Sequence, residues 1–453
     1  MTNKSPLLHG MEEFLDANPA QKKKSKKGDL YQWRVGEDPP VLGAHSLAKH
    51  RVLQEYIEKY VAILTTNRRV EQLTLSLVDG FSGGGTYLHP ESGERIPGSP
   101  ILMLNAIALA ETKANIDRRK KFKVNGSFYF VDEKKETLDY LKQEVSCAPS
   151  AIEKQEQIHY LKGSFSNHLD DIIQHIKKKG KAHRAIFLLD QYGYTDVPMA
   201  DIRKIFAALP RAEVILTLAV DWLTHFVNDT ARFTATLKNL ELEQRQDLLV
   251  QLREQHSPDW RAQIQHVLHQ HFYETSGADC YTPFFVHSVE SNRAYWLLHF
   301  SKHSTARDAM MELHWEMKNH FEHFGKPGFG MLCLGYDPRN VSVENQGTFG
   351  FDQSARSLTN EALLVEIPAK LAEHDGLVPY RHFFDSNVND TPATKTMIAE
   401  AITQLAKDRE LEVFSSKRKE RKPGVKLNDE DFIRLPQTRP FFQSESPLND
   451  SRS

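Results

Sequence analysis

The first residues in this sequence that could do chemistry lie where an apolar run ends in an acid and several glycines. Residues 73–85 read LTLSLVDGFSGGG, and Asp79 ends the apolar part. A buried strand that stops at an acid and a glycine turn presents backbone N–H groups to a ligand at the carboxyl edge of an open α/β sheet. Glycine allows a positive φ and lets a ligand approach the backbone. The pattern therefore favours a ligand-binding loop, and the alternative is a tight turn without a ligand.

A second polar group follows the apolar run AIFLL at residues 185–189. A continuous apolar run is typical of a strand that is covered on both faces. The run ends at Asp190, Gln191 and Tyr192, which bring a carboxylate, an amide and a phenol to one strand tip. Carboxylate and carbonyl oxygens accept hydrogen bonds from a substrate amine, and an aromatic ring can stack on a planar substrate. The alternative for Tyr192 is an aromatic residue that packs at the strand end.

A third acid, Asp132, follows an apolar run at residues 127–131, which we predict to be a strand. In this architecture an acid at the tip of the second strand accepts hydrogen bonds from a ribose. Asp79 and Asp132 are 53 positions apart. In the dinucleotide fingerprint the acid follows the glycine motif by roughly 20 residues. Because the separation is longer here, we predict an inserted helix at residues 101–112. The alternative for Asp132 is a cap on a helix at residues 133–145.

The elements that must position these residues alternate along the chain. We predict strands at residues 73–79, 127–131, 157–161, 185–189, 214–220, 283–289 and 294–300. We predict helices at residues 44–65, 101–112, 133–145, 169–178, 201–209 and 305–318. This rhythm predicts a parallel α/β sheet, and the last two strands form an antiparallel hairpin. Ser164 lies in the turn after the third strand, and residues from about 221 to 276 form a helical insertion.

The composition changes along the chain and predicts its domain organisation. The predicted parts are a flexible basic N-terminal arm (1–40), the α/β domain (41–325), a linker (326–357), a winged-helix-like module (358–440) and a tail (441–453). In the module we predict helices at residues 360–374, 378–384 and 394–408, and strands at residues 411–415 and 431–435. A basic bend lies between the strands: Lys417, Arg418, Lys419, Arg421, Lys422 and Lys426. Such a module puts one helix in a major groove and cations on phosphates; the alternative is a small helical cap.

Composition sets further limits on function. The 58 Lys and Arg residues balance 60 Asp and Glu residues, so the net charge of −2 does not itself indicate a nucleic-acid partner. Cys147, Cys280 and Cys333 lie far apart and have no metal-ligand spacing, which is typical of a reducing cytoplasm. No apolar run approaches the roughly 20 residues that span a bilayer. We therefore predict a cytoplasmic protein without a membrane partner.

Several signatures occur together in one order. They are Lys49-x3-Leu53-x2-Tyr56, Asp79-Gly80-Phe81-Ser82-Gly83-Gly84-Gly85, Pro97-Gly98-Ser99-Pro100, Phe130-Val131-Asp132, Gly163-Ser164-Phe165, DQYGYTDVP at residues 190–198, and Phe300-Ser301-Lys302-His303-Ser304. The set resembles the three-Cys-motif partner family of bacterial proteins over residues 40–325. The glycine loop also resembles the first motif of S-adenosylmethionine-dependent methyltransferases. The Gly-Ser-Pro element is similar to base-amino methyltransferases that act on ribosomal RNA and DNA.

The resemblance implies a Rossmann-like methyltransferase sheet with an antiparallel terminal hairpin, whereas the helical insertion and the C-terminal winged-helix-like α+β module are predicted from the sequence pattern alone. It implies S-adenosyl-L-methionine as cofactor and a nucleobase amino group of DNA or RNA as methyl acceptor. The implied cofactor-binding residues are Asp79, Phe81, Ser82, Gly83, Gly85, Asp132 and Ser164, with Asp79 near the ammonium group. The implied catalytic residues are Asp190, Gln191 and Tyr192. A separate three-Cys-motif protein is the implied partner.

Two departures from the family pattern leave a second interpretation of the protein's function possible. Gln191 stands where the family has proline, and Ser164 stands where an acid is often found. The alternative is therefore a non-catalytic nucleic-acid-binding or adaptor protein that retains the fold. A nuclease is less favoured, because no compact Pro-Asp…Glu-x-Lys pattern is present.

Overall fold

The computed structural model describes residues 31–191, 196–218, 237–254, 260–288, 293–317, 322–324, 327–330 and 348–436. Within these residues the α-helices are α1 (Ala44–Leu64), α2 (Ser99–Asn115), α3 (Lys135–Cys147), α4 (Phe165–Lys178), α5 (Met199–Ala208), α6 (Gln246–Glu254), α7 (Trp260–Ser276), α8 (Ser304–Met317), α9 (Gln353–Leu371), α10 (Tyr380–Asn387) and α11 (Lys395–Lys407). The strands are β1 (Gln72–Asp79), β2 (Thr86–Leu88), β3 (Arg95–Pro97), β4 (Lys123–Asp132), β5 (Ile158–Lys162), β6 (Arg184–Leu189), β7 (Ala212–Leu218), β8 (Cys280–Ser288), β9 (Arg293–Ser301), β10 (Glu322–Phe324), β11 (Thr348–Gly350), β12 (Val378–Pro379), β13 (Glu412–Phe414) and β14 (Phe432–Arg434).

The main sheet has the described strands in the order β11-β10-β8-β9-β7-β6-β1-β4-β5. The run from β5 to β7 is parallel, whereas β9 is antiparallel to β7 and β8 is antiparallel to β9. The strand order reverses at β1, which lies between β4 and β6. Open α/β sheets bind ligands beyond the carboxyl ends of their strands at such a point. The predicted Rossmann-like sheet with an antiparallel terminal hairpin is therefore confirmed.

Apolar layers cover the main sheet on both faces. On one face, Ile57 of α1 and Leu104 of α2 belong to the same core cluster as Leu75 of β1. On the other face, Ile172 of α4 packs in a second cluster with Val78 of β1. Neighbouring residues of a strand point to opposite faces, so β1 contributes to both clusters. Burial on both sides explains the continuous apolar run of β6.

The predicted elements of the α/β part agree with the structure within a few residues. The predicted helix at residues 44–65 is α1, and the inserted helix predicted at 101–112 lies within α2. The predicted hairpin corresponds to β8 and β9. Helices α6 and α7 lie in the predicted insertion, and α7 contacts α5. None of the described helices is long and apolar enough to span a membrane.

The segment before α1 packs on the body of the protein, so the predicted flexible arm is wrong for residues 31–40. The Trp33 indole Nε1 donates a hydrogen bond of 2.8 Å to the Thr86 carbonyl. Leu88 donates its backbone N–H to the Pro40 carbonyl at 2.9 Å. Only 6% of Trp33 is exposed. The basic run at residues 22–27 lies outside the described residues.

The C-terminal part begins earlier than the sequence predicts. Helix α9 begins at Gln353, not at residue 360, because the Asp352 side chain caps it by accepting the Ala355 N–H at 2.8 Å. Strand β11 pairs with β10 and extends the main sheet into the predicted linker. Further along, β12, β14 and β13 form a small antiparallel sheet in that order. Helices α9, α10 and α11 and strands β13 and β14 follow the predicted succession of elements, whereas β12 was not predicted and occupies the start of the helix predicted at residues 378–384.

Candidate active site

The glycine loop after β1 is tied to both neighbouring strands. The Gly80 N–H donates to the Leu188 carbonyl of β6 at 2.9 Å. On the other side, Ser82 donates both its N–H and its hydroxyl to the Val131 carbonyl of β4, at 2.9 Å and 3.1 Å. The hydroxyl of Ser82 therefore fixes the loop and is buried. The sequence predicts Ser82 as a cofactor contact, and the structure places its side chain on the protein backbone.

Two other predicted cofactor residues, Gly83 and Gly85, shape this loop. Both have a positive φ, of 57° and 80°. A Cβ atom at Gly85 would lie 2.5 Å from Leu141 Cδ1, so close packing as well as backbone conformation requires glycine there. The carbonyl of Gly85 accepts the Gly98 N–H at 2.7 Å, which joins the loop to the start of α2.

Asp79 is buried at the end of β1 with one carboxylate oxygen in use. Its Oδ1 accepts the Phe81 N–H at 3.1 Å. Its Oδ2 is buried and has no hydrogen-bond partner among the described residues. Burial raises the pKa of Asp79 to about 7, although the nearby Ser99 hydroxyl and the Phe81 N–H oppose this rise. A cationic donor from a ligand would satisfy Oδ2 and favour the ionised carboxylate.

Ser99 is the first residue of α2, and the N-cap of that helix is Gly98, which has no side chain to cap with. The Ser99 hydroxyl lies near the Asp79 carboxyl group and lowers the pKa of that group.

A cleft of about 480 Å³ opens beside the glycine loop. The residues that line it include Tyr31, Trp33, Gly80, Phe81, Asp132 and Ser164. These residues come from the segment before α1 and from the ends of β1, β4 and β5. The volume falls within the range of small-molecule sites, roughly 300–1,000 Å³. The structure thus brings predicted cofactor residues from successive strands to one cleft.

Asp132 and Ser164 carry polar groups into this cleft without capping the helices that follow them. Asp132 Oδ1 accepts the Lys134 N–H at 2.9 Å. Helix α3 begins at Lys135 and its N-cap is Lys134, so Asp132 does not cap it. Burial raises the pKa of Asp132, and the N–H groups of Lys134 and Gly83 oppose that rise. Ser164 is the N-cap residue of α4, yet its hydroxyl makes no capping hydrogen bond.

Asp190, at the tip of β6, is paired with Lys49 of α1. The Lys49 Nζ lies 2.7 Å from Asp190 Oδ1 and 2.8 Å from Oδ2. The side chains are 9% and 26% exposed. Burial alone would raise the pKa of Asp190, but the charge of Lys49 and its hydrogen bonds outweigh burial and hold the pKa below its ordinary value. Asp190 is therefore ionised at neutral pH.

The surroundings of this ion pair are largely apolar. Lys49 and Asp190 line a small enclosed cavity of about 10 Å³ together with Leu53 and Thr217. This volume is about that of one water molecule. Burial lowers the pKa of His50 to about 4, so its imidazole is neutral at neutral pH. The pair is thus a charged feature in a corner lined mostly by apolar side chains, next to the strand tips.

Gln191 is tied to the residues that precede α5. Only 4% of Gln191 is exposed, and its side-chain Oε1 accepts the N–H groups of Asp196 and Val197, at 2.9 Å and 3.1 Å. The amide side chain therefore fixes the end of β6 to the segment that leads into α5. Tyr192, the third predicted catalytic residue, lies outside the described residues.

A buried polar network that was not predicted from the sequence lies further along α1 from the ion pair. Tyr56 of α1 donates its hydroxyl to the Glu213 carboxylate of β7. His299 Nε2 of β9 lies 3.1 Å from the same carboxylate oxygen and 3.2 Å from the Tyr56 hydroxyl. The network joins α1 to two strands of the sheet. Lys49 and Tyr56 lie two helical turns apart and therefore on the same side of α1. The network thus accounts for the tyrosine of the Lys49-x3-Leu53-x2-Tyr56 motif.

The arrangement suits an organic ligand more than a metal ion. Among the described residues no group of His, Cys, Asp and Glu side chains could hold a metal. The residues present fit S-adenosylmethionine, because the orphaned buried Oδ2 of Asp79 can accept an ammonium and Asp132 can accept hydroxyl donors. Together, the strand order and this site place a ligand cleft at the point where the strand order of a Rossmann-like sheet reverses.

Comparisons with known proteins find solved structures of low identity and low TM-score. No family model and no curated protein matches this chain. A solved protein from Legionella pneumophila str. Philadelphia 1, LPL1258, is 11% identical with a TM-score of 0.33, over 56% of this chain and 85% of that one. An O-methyltransferase from Bacillus cereus in complex with SAH is 11% identical with a TM-score of 0.26, over 54% and 80%. A human methyltransferase 10 domain containing protein is 10% identical with a TM-score of 0.23, over 55% and 83%.

Proposed function

We propose that this protein is an S-adenosylmethionine-dependent methyltransferase that acts on the amino group of a nucleobase. The observation that carries the proposal is the buried Asp79 carboxylate with an unpartnered Oδ2, directly before Gly80 and Phe81, which line the cleft that also contains Asp132. The first acid matches an ammonium group and the second matches ribose hydroxyls. When bound, the cofactor supplies a methyl group on an electrophilic sulfonium.

The chain's own residues would hold the cofactor in three places. The Asp79 carboxylate would accept hydrogen bonds from the amino-acid end, and Asp132 would accept them from the ribose. The Ser164 hydroxyl and the Phe81 ring line the same cleft and are available to the rest of the cofactor. Gly83 and Gly85 keep the loop in its turn, and Ser82 fixes it to β4. The role of the loop is therefore to keep the cleft in one shape.

Asp190 would orient the amine that receives the methyl group. An ionised carboxylate has about four acceptor positions, so Asp190 can accept a substrate N–H while it remains paired with Lys49. That bond would point the nitrogen lone pair towards the methyl group. Most of the rate enhancement would come from this orientation. Tyr192 is proposed to stack on the extruded base.

A methyl-transfer assay with labelled S-adenosylmethionine tests this proposal. Duplex DNA and ribosomal RNA serve as acceptors, and Asp190→Ala is compared with the unmodified chain. We expect transfer to a nucleic acid by the unmodified chain and its loss in the variant, with cofactor binding retained. If Asp190→Ala transfers methyl groups as fast as the unmodified chain, the catalytic assignment fails.

A second candidate is a non-catalytic nucleic-acid-binding or adaptor protein with the same fold. The observation that favours it is that Lys49 already contacts both oxygens of Asp190. The pair would then be structural, and a separate three-Cys-motif protein would be the proposed partner. Binding of S-adenosylmethionine without transfer to any acceptor, together with co-purification of such a protein, would support this candidate.

A further inference from the structure

We propose that the C-terminal unit, residues 353–436, docks on double-stranded DNA, with α11 in the major groove and the loop between β13 and β14 on the phosphates. This inference rests on the proposed function and deepens it, because it commits the methyl acceptor to duplex DNA. We call residues 415–427 the basic loop.

The basic loop concentrates positive charge on a chain whose net charge is −2. It contains six basic residues and one acid, Glu420. Arg421 pairs with Asp431. The other basic residues are exposed and form no ion pair among the described residues: Lys417, Arg418, Lys419, Lys422 and Lys426. Unpaired exposed cations on one short segment are suited to contacts with the phosphate backbone.

Hydrogen bonds give the basic loop a defined shape. The Ser415 N–H donates to the Lys419 carbonyl at 2.8 Å, and the Arg421 N–H donates to the Val413 carbonyl at 2.8 Å. Arg418 has a φ of 57°, which closes the tight turn between them. Asp431, only 3% exposed, accepts the Asn428 N–H at 2.7 Å as well as Arg421. The cations are therefore presented on a fixed hairpin.

Helix α11 has one face buried and one face open. Its buried residues are Met397, Ile398, Ala401, Ile402, Leu405 and Ala406. The exposed positions Thr396, Glu400 and Gln404 follow one another at a spacing of four residues, so they lie on one face. Hydroxyl, amide and carboxylate groups are the side chains that read base edges. The helix is about 20 Å long, at 1.5 Å per residue.

The basic loop passes the last residue of α11, and the segment that follows the loop contacts the first residue of that helix. A Cβ atom at Gly424 would lie 3.1 Å from Cε of Lys407, the last residue of α11. Near the start of the helix, Lys395 Nζ lies 2.6 Å from an oxygen of Asp429. The basic loop and the residues that follow it therefore lie against both ends of α11. A helix flanked by phosphate contacts is the geometry of a groove reader.

The choice of DNA follows from groove dimensions. The major groove of B-form DNA is about 12 Å wide and admits an α-helix. The major groove of A-form RNA is deep and narrow, and side chains cannot read it. A surface made of a helix face and a flanking cationic hairpin therefore matches duplex DNA.

The unit is fixed to the α/β part through α8. Trp315 Nε1 donates to the Pro392 carbonyl at 2.8 Å, and Arg307 Nη1 donates to the Ala393 carbonyl at 3.0 Å. The Lys395 N–H donates to Asp308 Oδ1 at 2.7 Å, at the first residue of α11. DNA held by this surface would therefore keep a defined position relative to the sheet.

The test is fluorescence anisotropy of the full chain with labelled duplex DNA, duplex RNA and single-stranded DNA across a salt series. The loop variant carries Lys417→Ala, Arg418→Ala and Lys419→Ala, all at exposed positions. We expect it to bind duplex DNA at least about tenfold more weakly, with a salt slope lower by about one for each lost phosphate contact. The matched control carries Lys177→Ala, Lys178→Ala and Lys181→Ala, which are exposed lysines elsewhere, and should bind as the unmodified chain does.

Three results would overturn the inference: no binding of duplex DNA, tighter binding of duplex RNA, or equal losses in the loop variant and the control. Since anisotropy does not depend on methyl transfer, its failure is distinct from failure of the proposed function. Glu400→Ala and Gln404→Ala provide a second readout. They should reduce the preference among DNA sequences while leaving the salt slope unchanged, and an unchanged preference would contradict the placement of α11.

Discussion

Lys49 of α1 contacts both carboxylate oxygens of Asp190, at 2.7 Å and 2.8 Å, although the two residues are 141 positions apart in the sequence. The contact joins the helix that precedes the glycine loop to the strand tip where the substrate amine is proposed to bind. Lys49 thereby sets the charge state of Asp190.

Removal of the lysine should destabilise the protein. Lys49→Met keeps the length of the side chain but leaves the Asp190 carboxylate partly buried and unpaired, which we expect to lower the free energy of unfolding by about 1–3 kcal/mol. Urea unfolding measures this change. The control is Lys113→Met, which breaks the more exposed pair with Glu58 and should lower the free energy by no more than about 1 kcal/mol. Equal losses in both variants would mean that the Lys49 pair is no stronger than a surface pair.

The same substitution should move the pH dependence of methyl transfer. Burial raises the pKa of Asp190 and Lys49 lowers it, so without Lys49 the pKa rises. Asp190 must be ionised to accept a hydrogen bond from the substrate amine. The acid limb of the rate profile should therefore move to higher pH in Lys49→Met and stay in place in Lys49→Arg. An unchanged limb in Lys49→Met would show that Asp190 does not act as the acceptor.

The contact between Trp33 and the glycine loop predicts a steric coupling. A Cβ atom at Gly84 would lie 2.2 Å from the Trp33 indole. Because Gly84 does not have a positive φ, the strain in Gly84→Ala would come from this clash, and we expect a loss of about 1–3 kcal/mol. In a Trp33→Leu background the same substitution should be much less costly, as a double-mutant cycle in thermal unfolding would measure. Additive effects would exclude the coupling.

The raised pKa of Asp79 predicts how stability depends on pH. Because the folded pKa is about 7 and the ordinary value is 3.8, the folded state binds more protons than the unfolded state between these values. Stability contributed by this group is therefore present at low pH and is lost as pH rises through about 7. Asp79→Asn should remove this loss, so its stability relative to the unmodified chain should increase from about pH 4 to about pH 8. Unfolding curves across this range measure the difference, and a constant difference would contradict the raised pKa.

The sequence predicted the fold better than it predicted the site. The apolar runs of β1 and β6 indicate strands buried on both faces, and an acid at each tip marks the edge where ligands bind. Lys49 could be placed on a helix, but its partner could not be identified, because no local pattern connects positions that far apart. The pairing depends on how α1 crosses the sheet.

Three assignments made from the sequence differ from the structure. Residues 31–40 are polar and follow a lysine-rich stretch, so they indicated a flexible arm, whereas the anchoring of Trp33 depends on a carbonyl 53 positions away. The start of α9 was missed because Asp352 was not recognised as an N-cap before a weakly apolar segment. Ser82 was assigned to the cofactor from its place in the motif, and only the structure shows that its hydroxyl bonds to Val131.

The most direct test of the cofactor site is calorimetric titration with S-adenosylmethionine across a pH series, for the unmodified chain and for Asp79→Asn. The ammonium of the ligand favours the ionised Asp79, so the unmodified chain should bind more tightly as pH rises through about 7 and should release a proton on binding below that pH. The variant should bind at least about tenfold more weakly and lack this pH dependence. Equal affinities, or no binding by the unmodified chain at millimolar cofactor, would contradict a cofactor site at Asp79.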